Sequence, residues 1–315
     1  MEKAVIVDLP GTTTSKVSKE IVAMREMGGV VTLGRVLTLV VDTQPDFVEE
    51  AIAAANEASR EHPCRIIVLA EGSPDDETRL DAQIRVGGDA GASEVIVLSG
   101  HGELAGESES LVSALLLPDA PIVAWWPHGV PEDPAKTPLG AIAHRRITDA
   151  ATEDDPKKAL LGLADSYAAG DTDLSWTRLT NWRVQLAAVL DGGAAAQVES
   201  VVVEGASDSA STFLLAAWLK KALDVPLEII EGEAGTGIHR VVFRRRDGEV
   251  ELSRPDQVTA HLRQPGQPEQ QISLPRRTLR DCLAEELRRL DPDEVFGEVL
   301  TEGLAACLSQ EGAHA

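Results

Sequence analysis

A chain of 315 residues, 43% hydrophobic and only 3% aromatic, can bury an aliphatic core in one large domain or two ordinary ones. A formal charge of −23 and a pI near 4.6 set a negative field that excludes nucleic acid and anionic membrane as expected partners. Three cysteines (Cys64, Cys282 and Cys307), far apart and without a CxxC, exclude a zinc ribbon and a disulfide framework and suit a reducing compartment.

The chain opens with a four-residue apolar run, Ala4 to Val7, too short for a signal segment. No later run approaches the ~18 apolar residues of a membrane span, so a cytoplasmic protein is expected. Thr14 or Ser15 can cap a helix to about Met27, stopped by Gly28 and Gly29. Val36 to Val41 reads as a buried strand, Phe47 to Arg60 as a helix and Arg65 to Ala70 as a second strand, which makes a βαβ unit. Leu80, Ala82, Ile84 and Val86 alternate with Asp81, Gln83 and Arg85, so period two puts the first set on one face of a strand and the polar row on the other. Gly87 and Gly88 end it. A helical turn over Asp89 to Ser93, a strand Glu94 to Ser99, a helix Glu107 to Leu116 and a strand Pro121 to Trp125 follow. Pro127 to Gly140, punctuated by Pro131, Pro134 and Pro138, reads as a loop.

The acidic stretch Ala150 to Pro156 closes a first lobe, 1–150. Helices from Pro156 to about Ala168 and from Leu179 to Leu190 form a connector, 151–198; Leu179, Trp182, Leu186, Val189 and Leu190 make the apolar stripe of the second helix. A second lobe, 199–315, starts with strand Ser200 to Val203 and helix Ser209 to Leu223. Strands at Leu227–Ile230, Arg240–Arg245, Val250–Ser253, Val258–Leu262 and Gln270–Leu274 come next, then helices at about Arg277–Leu290 and Pro292–Leu308. The expected fold is therefore α/β in two lobes. The N-terminal one carries βαβ units; the C-terminal one carries a mixed sheet richer in antiparallel strands and ends in helices.

Several motifs come close to chemistry and stop short. Gly11-Thr-Thr-Thr-Ser-Lys16 lacks the second glycine of a phosphate loop. Gly87-Gly-Asp-Ala-Gly91 lacks the GxGxxG spacing, so a dinucleotide fold is not supported. None of the seven histidines lies at metal-pair spacing from another, and no catalytic, cofactor or metal residue is assigned. Gly205-Ala-Ser-Asp-Ser209 sits between a strand and a helix, the place of a hydrolase nucleophile, but without its final glycine. Ser207 would need Asp224 or Asp256 and His261 as partners. The same helix start could instead hold a small anion, such as a sugar phosphate, at Ser207, Ser209 and Ser211 with help from arginines.

Features suited to holding a protein are more numerous. Trp125 and Trp126 leave a strand on opposite faces, so one can pack inside while the other meets the second lobe or a partner. The row Asp81, Gln83 and Arg85 and the pair Arg145 and Arg146 join them as candidate interface residues. Eleven arginines, from Arg240 to Arg289, fall in the last lobe, where they either balance nearby acids or read carboxylates and phosphates.

Several stretches resemble the OpcA family, the assembly proteins of glucose-6-phosphate dehydrogenase, particularly its actinobacterial members. They are Val5-Ile-Val-Asp-Leu-Pro10, Gly34-Arg-Val-Leu-Thr-Leu39, Ala55-Asn-Glu-Ala-Ser-Arg-Glu-His-Pro-Cys-Arg65 and Leu80-Asp-Ala-Gln-Ile-Arg-Val-Gly-Gly-Asp-Ala-Gly-Ala92. Further on are Leu117-Pro-Asp-Ala-Pro-Ile-Val-Ala-Trp-Trp-Pro127, Arg145-Arg-Ile-Thr-Asp149, Ser175-Trp-Thr-Arg-Leu-Thr180 and Glu204-Gly-Ala-Ser-Asp-Ser-Ala210. The resemblance implies a non-enzymatic factor for the first oxidative step of the pentose phosphate pathway, with glucose-6-phosphate dehydrogenase as partner and with substrate and NADP bound by that partner. It carries over no catalytic residue.

Overall fold

In the computed structural model, which describes residues 5–28, 36–86, 94–191 and 197–311, the chain divides into two units. Met1–Thr148 and Leu279–Pro292 form the first; Asp149–Thr278 and Asp293–Ala315 form the second. The stretch read as a connector, 151–198, thus belongs to the second unit, and the helix after Leu279 belongs to the first.

The first unit runs β1 (Val5–Leu9), α1 (Thr14–Gly28), β2 (Leu37–Thr43), α2 (Val48–Ser59), β3 (Cys64–Glu71), β4 (Arg79–Val86), β5 (Glu94–His101), α3 (Ser108–Ser113), β6 (Ile122–Trp125), α4 (Pro138–Ile142) and β7 (Arg145–Thr148). Its strands lie in the order β1-β4-β5-β3-β2-β6-β7. From β5 to β7 the pairing is parallel, and β4 and β1 are added antiparallel at one side. Leu39, Val40 and Val41 of β2 and Ile66, Ile67 and Val68 of β3 are fully buried, the continuous apolar run of a sheet covered on both faces. From β2 the chain builds outward through β3 to β5, then returns to β6 and β7 on the other side of β2. That reversal is the topological switch point of a doubly wound dinucleotide-type sheet. Absence of the glycine fingerprint argued against this topology; the topology is nonetheless there, because hydrophobic pattern and crossover connections set strand order while the fingerprint serves only the phosphates.

On β4 the alternation read from sequence is realised. Leu80, Ala82 and Ile84 enter a core that includes Val17 and Ile21 of α1, and the polar row faces the other way. Strand β1 and strand β7 were not foreseen. Five residues pairing on one edge give β1 little apolar signal, and β7 reads as polar because half of it is arginine. The expected turn Asp89–Ser93 lies outside the described residues. Within the expected loop Pro127–Gly140, Thr137 caps the short α4 by accepting the Gly140 amide at 2.9 Å.

The second unit runs α5 (Pro156–Ser166), β8 (Asp171–Asp173), α6 (Leu174–Thr177), α7 (Thr180–Leu190), β9 (Val198–Ala206), α8 (Ala210–Leu223), β10 (Leu227–Gly232), β11 (Ile238–Arg245), β12 (Gly248–Ser253), β13 (Thr259–Arg263) and β14 (Gln270–Ser273). Helix α9 (Leu279–Arg288) then returns to the first unit, where Cys282, Leu283, Ala284 and Leu287 are buried and the helix packs on α2. Helices α10 (Glu294–Glu298) and α11 (Leu304–Glu311), joined by a π-helical turn over Val299–Gly303, complete the second unit. Its sheet is ordered β10-β9-β11-β12-β13-β14, with β9 and β10 parallel around α8 and the remaining pairs antiparallel. Helix α8 is apolar almost all round because it lies between this sheet and the C-terminal helices. A β-carbon on Gly205 would lie 2.3 Å from Thr212 Oγ1, so glycine is what lets the start of α8 press onto β9.

Candidate functional site

The polar row on β4 is a surface ladder that the chain itself occupies. Asp81 accepts the Gly11 amide and Arg79 Nε, both at 2.9 Å, and the Gly11 bond above all holds its carboxyl below the usual range. Gln83 donates to Asp8 at 2.6 Å, while Arg85 donates to Gln83 and grips Glu49 through two bonds of 2.8 and 2.6 Å. That grip lowers the Glu49 pKa.

The other expected interface residues are interior. Trp125 is wholly buried and Trp126 is 4% exposed. They do leave opposite faces, but both faces of a doubly wound sheet are core, so neither is left for a partner. Arg145 is buried against α9, donating to Glu286 and to the Asp291 carbonyl at 2.6 Å each, and Arg146 donates to the Ala143 carbonyl at 3.1 Å. Arg145 thus ties β7 to α9, and Arg146 ties β7 to the segment just before it, within the first unit.

At the carboxyl ends of β2, β3, β5 and β6 lies a cavity of about 530 Å³, lined by Asp42, Glu71, Glu107, Trp126 and His128 among others. It occupies the position where doubly wound folds take nucleotides. Its chemistry is of the wrong sign for that. The turn after β2 reads Thr43-Gln-Pro-Asp46 with no glycine, and α2 begins with Glu49 and Glu50 where a pyrophosphate would need bare amides. Asp42 accepts Trp126 Nε1 at 3.2 Å. Burial raises its pKa, the Trp126 bond opposes that, and the charge of Glu71 adds to it. His128 stacks on Phe47 with ring centroids 3.9 Å apart.

The second unit contains a small pocket of opposite character, about 80 Å³, at the start of α8. Ser209 caps the helix, its Oγ accepting the Thr212 amide at 3.3 Å, and Ser211 donates to the Ser175 carbonyl at 2.9 Å; both line the pocket. Ser207 is exposed and does not. Four arginines line it as well: Arg178, Arg254, Arg276 and Arg277. Arg178 is held by Asp149 through two 2.6 Å bonds. Arg254, 5% exposed, donates to the carbonyls of Leu274 and Ile238 at 3.0 and 3.3 Å, and its Nε has no hydrogen-bond partner. Burial, reinforced by the charge of Arg276 and opposed by that of Asp256, pushes the Arg254 pKa down to about 10. Trp182 lies with its ring 5.2 Å from the Arg254 guanidinium carbon, and its Nε1 is also a buried donor without a partner.

The remaining arginines of this unit divide differently. On the solvent face of the sheet Arg240 pairs with Glu204 and Glu251, Arg263 with Glu251 and Glu269, Arg244 with Glu249 and Arg246 with Glu199. The hydrolase arrangement is not assembled. His261 binds Glu269 at 2.7 Å, Asp256 takes the amides of Val258 and Thr259, and Asp224 is the C-cap of α8. Among the described residues no hydrogen bond joins any of them to Ser207. Nor, among those residues, is any group of three or more His, Cys, Asp or Glu placed to hold a metal ion, and no helix is long and apolar enough to cross a membrane. Sequence reasoning missed Trp182, taken only as part of an apolar stripe, and Arg178. Nothing local marks them, because α7 meets the α8 start only through tertiary packing.

These features define a two-unit α/β protein with the strand order of a dinucleotide fold and without its phosphate-binding apparatus. The fold is shared with an oxidoreductase from Sinorhizobium meliloti, 11% identical, over 90% of this chain and 99% of that one with a TM-score of 0.51. A 3-ketoreductase from Actinomadura kijaniata (12% identity, TM-score 0.49) and a myo-inositol 2-dehydrogenase from Lactobacillus plantarum (9%, 0.49) each align with 88% of this chain and 97% of their own. No curated protein sequence matches. Two family models do: the glucose-6-phosphate dehydrogenase subunit N-terminal domain over residues 55–165, and the C-terminal domain of the same subunit over residues 169–300. The chain belongs to the OpcA family of glucose-6-phosphate dehydrogenase assembly proteins.

Proposed function

We propose that this chain is a non-catalytic partner of glucose-6-phosphate dehydrogenase that binds one assembly state of the enzyme better than the others and so promotes its active oligomer. The observation that carries this reading is the pair of family matches, which together span both units. The first unit supports it from another side: an acid-lined crevice with no glycine turn is poorly suited to hold NADP, which leaves nucleotide and substrate to the enzyme. Preferential binding shifts an oligomer equilibrium by mass action, and about 1.4 kcal/mol of preference moves it tenfold. The linkage is reciprocal, so an enzyme ligand that favours the active oligomer tightens binding of this chain.

Of the residues expected at the interface, Asp81, Gln83 and Arg85 are the ones at the surface, and the β4 face is the surface we assign to the enzyme. Trp125, Trp126, Arg145 and Arg146 act through the stability of the first unit. Size-exclusion chromatography with light scattering on a mixture with the dehydrogenase of the same cell, read alongside an activity titration, tests this. A complex and a changed enzyme rate are expected. Separate elution together with an unchanged rate at saturating chain would defeat the proposal.

A further inference from the structure

We propose that the arginine pocket at the start of α8 binds the phosphoryl group of a small phosphate monoester. In a chain of net charge −23, most arginines of the second unit have found carboxylates. Among the described residues Arg254 and Arg276 make no salt bridge: they donate to backbone carbonyls, Arg254 to Leu274 and Ile238 and Arg276 to Gly235, and the charge of Asp256 offsets only part of what burial and Arg276 do to Arg254. A guanidinium as buried as Arg254 loses its hydration and normally requires a counter-charge. An arriving anion would supply one.

The hydrogen-bond inventory points the same way. Arg254 Nε and Trp182 Nε1 are buried donors with no acceptor among the described residues, and both residues line the pocket. Ser209 Oγ uses a lone pair to cap the helix, which leaves its own proton to give. The first-turn amides of α8, a helix of 14 residues, add their partial positive charge. The donors at the helix start, on α7, at Arg254 just beyond β12 and at the exposed Arg276 belong to residues that line one pocket. A tetrahedral phosphoryl group with three acceptor oxygens meets such a set better than a flat carboxylate does, and its charge near −2 matches two unpaired arginines. A pocket of about 80 Å³ takes the phosphoryl group alone and leaves the rest of the ester outside.

The proposal concerns the isolated chain and does not depend on the dehydrogenase reading, so either can fail alone. Calorimetry on the full chain in low-chloride buffer at pH 7.5 tests it with inorganic phosphate, with glycerol 3-phosphate as a monoester, and with acetate. Saturable heat with both phosphates and none with acetate is expected. Losing one charge-assisted donor at Arg254→Gln should weaken phosphate about tenfold or more, and Trp182→Phe, which keeps the ring and deletes the N–H, about threefold. Arg276→Ala provides a substitution at an exposed position and should also weaken phosphate. Arg246→Ala, on the sheet face, should leave it unchanged. Flat heats with both phosphates, equal binding of acetate, or phosphate affinity untouched by both Trp182→Phe and Arg276→Ala would each overturn the assignment.

Discussion

The two units each contain a concavity beside the start of a helix, and the two concavities have opposite chemistry. In the first unit the crevice lies at the switch point of a doubly wound sheet, yet acids line it and Glu49 and Glu50 occupy the first turn of α2. In the second unit the helix start is capped by a serine and ringed by arginines, of which Arg254 and Arg276 make no salt bridge among the described residues. Topology places a hollow; side chains decide what enters it. A nucleotide site inferred from strand order would name the wrong unit, since the groups able to hold a phosphate stand in the other one.

The comparison can be broken most forcefully at Trp126, which lines the crevice at 4% exposure and donates to Asp42. Trp126→Ala should destabilise the first unit by about 3–5 kcal/mol, the usual result of deleting a buried indole. Urea unfolding measures it. If Trp126 were a partner-facing side chain, stability would hold and only dehydrogenase binding would fall. Next in size is Asp149, which is 1% exposed and anchors Arg178. Removing one partner of such a pair costs about 3 kcal/mol, the lower end of the range, because Arg178 is a quarter exposed. Asp149→Asn also releases a third arginine beside the pocket, so phosphate should bind more tightly as the fold weakens. No change in phosphate affinity would argue that Arg178 is a structural anchor alone. A smaller effect is expected at Ser209→Ala, which removes the α8 cap at about 1 kcal/mol and also takes away the hydroxyl donor. Thermal unfolding with and without inorganic phosphate separates the two losses, since only the second depends on phosphate.

How much of this was legible in the sequence follows from what each feature depends on. The alternation from Leu80 to Val86 is local, and the strand, its buried face and its polar row could all be read. Helix α8 was likewise placed to within a residue by its apolar run, although the cap expected at Ser207 or Asp208 is Ser209. Trp125 and Trp126 were read as leaving opposite faces, one inside and the other against the second lobe or a partner; both are buried, since period two does not reveal whether a sheet is covered on one face or both. Arg145 misled for a related reason: its partners Glu286 and Asp291 lie far along the chain, while Arg146 turns back to the Ala143 carbonyl beside it. The anion-binding possibility at Ser207–Ser211 was visible as a helix start. That Arg254 rather than Arg240 or Arg263 turns toward it depends on the β11–β12 hairpin, whose register no local pattern fixes.

The smallest expected effect concerns Asp42, and its sign is diagnostic of the acidic crevice. Burial raises the pKa of this carboxyl in the folded chain above its ordinary 3.8. Below that ordinary value Asp42 is neutral in both folded and unfolded states and carries no penalty. As pH rises through the raised folded value, the native state must hold a partly desolvated charge that the unfolded chain keeps in water, and stability is lost. Asp42→Asn keeps an acceptor for Trp126 Nε1 and removes the charge, so at pH 7.5 it should stabilise the protein, by about 0.5 kcal/mol as for most substitutions outside the deep core. The gain should shrink as pH falls toward the ordinary 3.8, because the wild-type carboxyl takes up its proton earlier in the fold than in the unfolded chain. Urea midpoints of both proteins at several pH values measure this. A gain that does not vary with pH, or a loss at pH 7.5, would mean that the Asp42 charge is compensated by a group in the crevice, and the contrast between an acidic and a basic pocket would then lose its electrostatic basis.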